Sequence, residues 1–179
     1  MILGLDVSTS ITGATLLDEN GEIVFCEAWD MRDKKRFKDL FDKASGIRLW
    51  LLEIALRHKV KKIYIEEPFM FFNSGGSSAK TMSTLQTFNG MVSWAAFRML
   101  GVKPEYFKAT AARKICGIKV SRGEKAKEKV LKFILDNIPD FEVEYTKFNN
   151  PKPGVYDRAD SWVIAKSGLI TWKEKNSES

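Results

Sequence analysis

The sequence predicts an α/β fold: a mixed five-stranded sheet with helices on both faces. Three observations point to it. Strand-like apolar runs follow one another through the first thirty residues with tight turns between them. The apolar period then changes to three and four, the mark of an amphipathic helix. After that helix a short run, Ile63-Tyr-Ile, can return beside the first strand in parallel, through a helical crossover.

Residues 1–7 are apolar almost throughout and read as a buried strand. Residues 11–17 follow a Ser-Thr-Ser turn, and residues 21–29 follow Asp18-Glu-Asn-Gly21, which makes an antiparallel meander. From 34 to 58, Phe37, Leu40, Phe41, Ala44, Ile47, Leu51, Ile54 and Ala55 recur at helical spacing. His58 stands at the end of that helix as an ordinary terminal or surface residue. Residues 61–66 form the fourth strand, and Pro68 forbids further ladder pairing. A loop rich in aromatics, glycine and serine covers 69–80, and a helix covers 79–100 whose second half is apolar on more than one face. Residues 103–107 read as an edge strand because of Pro104. A short helix at 110–115 follows, and a Ser121/Glu124 capping-box pattern opens a helix to about 137. Residues 139–154, with three prolines, form a loop, and a last helix starts near 155. The expected organisation is one domain over 1–172 and a disordered tail over 173–179.

Charge narrows the partners. Lys and Arg number 29 against 23 Asp and Glu, a formal net charge of +6. Between Lys103 and Lys132 ten basic residues face three acidic ones. That block suggests a polyanion-binding surface. No apolar stretch approaches the roughly 20 residues of a membrane span. The two cysteines, Cys26 and Cys116, lie far apart and outside any zinc or disulfide pattern. With no signal-peptide pattern, a cytoplasmic setting is expected.

Against this basic background stand four carboxylates at element ends. Asp6 closes the first strand and Glu66 the fourth, while Asp157 and Asp160 sit three apart on the last helix and so share a side. Carboxylates from three distant segments have reason to meet only around something cationic. Hard oxygen donors suit Mg²⁺ or Mn²⁺. Two such ions about 4 Å apart can activate water, neutralise a phosphate and stabilise a leaving oxygen, the chemistry of phosphodiester hydrolysis. Glu67 rivals Glu66, since strand neighbours point to opposite faces.

The segments Ile2-Leu-Gly-Leu-Asp6, Ile63-Tyr-Ile-Glu66-Glu-Pro-Phe69 and Asp157-Arg-Ala-Asp160-Ser, in that order, resemble the signature of RuvC-type Holliday junction resolvases of the RNase H-like superfamily. The resemblance spans residues 1 to about 168. It implies a homodimer that nicks Holliday junctions and other branched DNA, such as forks or flaps, with two Mg²⁺ ions per site, Mn²⁺ substituting. It assigns Asp6, Glu66, Asp157 and Asp160 as metal ligands and favours Glu66 over Glu67. Lys125, shortly after Gly117-Ile118, resembles a lysine near that family's active site and heads a basic line with Lys129 and Lys132. Arg113, Lys114, Lys119 and Arg122 read as further phosphate contacts. Phe69 occupies the place of an aromatic at the junction crossover, where it can stack on an unpaired base. Asp6 is followed by Val-Ser-Thr instead of the family's usual Pro-Gly, which is more similar to phage-encoded relatives.

Two other readings compete. Gly4-Leu-Asp-Val-Ser-Thr9 with Gly13 also resembles the phosphate loop of sugar kinases and actin-like ATPases, although those need two lobes and more chain. A non-catalytic DNA-binding relative is the third, disfavoured because all four acids are present.

Overall fold

A computed structural model describes residues 1–68, 79–139 and 141–177. The strands are β1 (Ile2–Asp6), β2 (Ile11–Leu17), β3 (Ile23–Asp30), β4 (Lys62–Glu66) and β5 (Glu105–Phe107). The helices are α1 (Leu40–Arg57), α2 (Ala79–Leu100), α3 (Ala109–Ile115), α4 (Ala126–Asn137) and α5 (Val155–Ser177). They build a single five-stranded sheet in the order β3-β2-β1-β4-β5. β1 runs antiparallel to β2 and parallel to β4, and β4 is parallel to β5. The strand carrying Asp6 is therefore central, and its parallel neighbour carries Glu66.

Strand alternation sorts the core into two halves. Leu3, Leu5, Leu16, Ile63 and Ile65 face α1 and α2. Ile2, Leu17 and Tyr64 face the other way, against α5 with α3 and α4 around it. Helices thus cover both faces, as expected.

Several boundaries differ from the sequence reading. α1 begins at Leu40 because the Asp39 carboxylate accepts from the N–H groups of Phe41 and Asp42, an N-cap that the apolar periodicity hid. Phe37 still enters the core from the preceding turn, whereas Phe41, expected inside, is exposed. The Ser121/Glu124 pattern forms only half a capping box: Glu124 accepts from the Ser121 N–H, and α4 starts later, at Ala126. The expected disordered tail is corrected as well. α5 continues to Ser177, with Leu169 buried and Trp172 packed on the core under the Lys61 ammonium, 5.7 Å from its ring centre.

Two glycines set how closely α5 approaches the sheet. At Gly4 a Cβ would lie 2.6 Å from the Ser161 carbonyl oxygen. At Gly13 it would overlap the Asp157 carbonyl. Gly13→Ala is expected to cost about 1–3 kcal/mol, the range for forcing extra volume into a filled site. Chemical denaturation would measure it, and a change below a few tenths would show that α5 adjusts freely.

Candidate active site

The sheet supplies two of the four acids. Tyr64 belongs to the α5 face of β4, so alternation carries Glu66 to that same face, while Ile63 and Ile65 prescribe the opposite face for Glu67. Asp6 shares the α5 face with Ile2 and Gly4 by the same count. Asp6 and Glu66 end parallel neighbours and stand at one end of the sheet.

Helix α5 brings the other two. Gly13 is the cross-strand partner of Asp6, and the backbone of Asp157 rests directly on Gly13. One turn further, the buried Ser161 hydroxyl pairs with Thr15 of β2 at 2.8 Å. With these two anchors, Asp157 and Asp160 are held on the sheet side of the helix, beside Asp6. Arg158 does not neutralise Asp160. Its guanidinium donates instead to the carbonyls of Cys26 and Glu142 and lies over the Phe141 ring. All four acids remain partly accessible from outside.

Electrostatics register their proximity. Asp6 is pushed well above the usual carboxylate range, first by burial and then by the charges of Glu66, Asp160 and Asp157. Burial, with Asp160 adding to it, pushes Glu66 up to about 7. Burial also pushes Asp160 up to about 6 and raises Asp157. Burial and mutual repulsion disfavour the ionised set, and a nearby cation would relieve that repulsion. Among the described residues, no three Asp, Glu, His or Cys side chains stand close enough together to hold a metal ion. The donors nonetheless suit Mg²⁺ or Mn²⁺ chemically: hard, acceptor-only oxygens at an accessible sheet end.

Three cations among the described residues act on the cluster, Arg32 on Asp157 alone. Lys127 lowers all four carboxylates, and Arg113 of α3 lowers Glu66 and Asp160. The Arg113 expectation thus places it nearer the acids than a general phosphate contact. Lys127 replaces Lys125 as the lysine beside the cluster. Lys125 is the N-cap residue of α4, exposed, and its ammonium donates to Glu128 at 2.9 Å. The buried stripe of α4 is Val130, Leu131 and Ile134. Lys127 lies three, four and seven residues before them and shares their face.

The other basic residues are spread over the flank. Lys129 pairs with Glu124 and Lys132 with Asp136, while Lys114, Lys119 and Arg122 are exposed. Such surface pairs contribute little to stability and stay available to a polyanion. Phe69 and the glycine-serine loop after it lie outside the described residues.

The chain superposes on RuvC from Thermus thermophilus in complex with a Holliday junction substrate, with a TM-score of 0.68 at 16% identity, over 97% of this chain and 94% of that one. A second Thermus thermophilus RuvC structure gives 0.63 at 17%, over 97% and 96%. The yeast mitochondrial Holliday junction resolvase gives 0.59 at 13%, over 99% and 80%. No protein-family model and no curated protein matches the sequence. Sheet order, crossover and closing helix together give this chain, over nearly its whole length, the fold of the RuvC-type Holliday junction resolvases.

Proposed function

We propose that the protein is a metal-dependent, structure-selective endonuclease that nicks Holliday junctions and other branched DNA. The observation that supports this reading is that Asp6, Glu66, Asp157 and Asp160 lie within electrostatic range of one another at one accessible end of the sheet, their charges opposed only in part by Lys127, Arg113 and Arg32. These acids would hold two Mg²⁺ ions, which supply water activation and charge neutralisation at a phosphodiester. The chain's own part is positional. β1 and β4 fix two carboxylates rigidly, α5 sets the other two against them, and Lys127 and Arg113 offer cationic charge to the scissile phosphate and its neighbour. The net charge of +6 favours the encounter with a polyanion.

The nucleotide-binding reading loses support on geometry. Gly4 and Gly13 are both filled against by α5, and the Ser8 hydroxyl is engaged by its own turn through Ile11. None of them opens a phosphate cradle.

The direct test incubates the purified protein with labelled four-way junction, fork and linear duplex, with and without Mg²⁺. Metal-dependent nicking of the branched substrates is expected, with the duplex largely intact. Absence of cleavage with Mg²⁺ or Mn²⁺ on all three would overturn the assignment.

A symmetric pair of nicks needs two sites, and a homodimer supplies them. The outer sides of α1 and α2 leave Phe41, Leu49, Leu52, Leu56, Trp94 and Phe97 exposed, an apolar face suited to a second copy. Light scattering at micromolar concentration is expected to give twice the chain mass of 20.4 kDa. A single-chain mass would exclude the dimer and leave one nick per encounter.

A further inference from the structure

The segment between α4 and α5 carries Tyr145, Phe148, two lysines and two asparagines, with prolines that exclude a helix. It is folded into a small hairpin. Tyr145 and Pro151 make an antiparallel bridge, and the Lys152 N–H donates to the Glu144 carbonyl at 2.8 Å. The Thr146 N–H donates to the Asn150 carbonyl at 2.8 Å, and the Asn149 N–H to the Thr146 carbonyl at 2.9 Å. Asn149 takes the left-handed conformation with φ 59°, which asparagine tolerates better than most residues. A Lys152–Glu144 ion pair of 2.6 Å closes the base.

At the tip of this bonded turn Phe148 is 73% exposed, and the Lys147 ammonium lies 5.0 Å from its ring centre. A lone exposed apolar residue needs no special explanation. Here the turn that carries the ring is fixed by backbone bonds, and the hairpin is moored on β3, two strands from Asp6. Gly154 seats against the Ala28 side chain. Ala28 pairs with Gly13, and Gly13 with Asp6, so that mooring shares a sheet rung with the first acid. Arg158, the residue after Asp157, binds the Glu142 carbonyl and stacks over Phe141 just before the hairpin.

We propose that this hairpin is a second DNA contact, in which Phe148 stacks on a base left unpaired at a branch while Lys147 meets the adjoining phosphate. The inference rests on the nuclease reading and adds an element to it. An exposed ring fits any base, because every base offers a π face, and the neighbouring cation suits the backbone that carries it. One face of the ring carries the lysine, and stacking requires only the other.

The test places 2-aminopurine at the crossover of a four-way junction, and in a linear duplex as control. Binding is followed by fluorescence in chelator, so that no strand is cut. Wild type is expected to change the fluorescence of the junction probe. Phe148→Ala should abolish that change and weaken junction binding about tenfold, with duplex affinity unchanged, and Phe148→Trp should restore both. Matching melting temperatures would show that the variants are folded. Equal junction binding and fluorescence by Phe148→Ala would overturn the proposal, as would an equal loss on junction and duplex, or a Trp variant as defective as Ala. In those cases wild-type cleavage of branched DNA in Mg²⁺ would leave the nuclease reading standing. A wild type that neither prefers the junction nor cleaves would remove both.

Discussion

Replacing Asp6 with Asn is expected to lower metal-dependent cleavage by at least about a thousandfold, the upper part of the range for losing one preorganised charge-stabilising group. Junction binding should change little, because phosphate contacts on the basic flank supply most of the affinity. The same variant should be more stable than wild type in chelator at pH 8. Glu66 and Asp160 have folded values raised to about 7 and about 6, and Asp6 and Asp157 are also raised. A raised carboxylate favours the fold when protonated, so its contribution is full below the usual carboxylate range and is lost as pH rises through 6 to 7. At pH 8 all the ionised acids repel. Removing one charge-bearing group from the buried cluster should relieve repulsion on Glu66 and Asp160 and raise the metal-free melting temperature. Near-normal nicking by Asp6→Asn would reject its role, and a drop in metal-free melting temperature would reject the repulsion.

Lys127→Ala is expected to reduce cleavage by about 10–100-fold, a loss comparable with removing a supporting partner of a metal site, whereas Lys125→Ala should stay within about twofold of wild type. The contrast follows from placement: Lys127 acts on all four carboxylates, while Lys125 faces Glu128 at the solvent edge. Loss of Lys127 also removes an influence that holds the acids down, so the acidic limb of the pH–rate profile should move to higher pH. The rate measured from pH 5.5 to 9 would show it. A Lys125 variant more damaged than the Lys127 variant would restore the sequence-based assignment.

The two lysines illustrate where sequence reading stops. Strands and crossover were legible because each rests on a local pattern. Alternation or helical period sets a face, and a carboxylate at the end of an apolar run has few places to go. The lysine was taken from resemblance to a family position, whereas which lysine of α4 acts on the acids follows from the packing of Val130, Leu131 and Ile134 on their neighbours. Helix ends failed similarly at Asp39 and Ser177, where a side-chain cap and a docked Trp172 outweighed propensity.

The sequence by itself determined which residue types could do chemistry and on which elements they lie. It determined the mixed sheet with Asp6 and Glu66 ending adjacent strands, and left Glu66 against Glu67 to the family resemblance. Only the tertiary structure decided how those residues combine. It set α5 against Gly4 and Gly13 so that Asp157 and Asp160 come within electrostatic range of Asp6, turned Arg158 toward backbone carbonyls, and placed Lys127 where its charge acts on the acids. The physical reason is range. Dihedral preference and hydrophobic period act over a few neighbouring residues, whereas the field at Asp6 is the sum of groups from β4, α4 and α5 that close packing alone brings together.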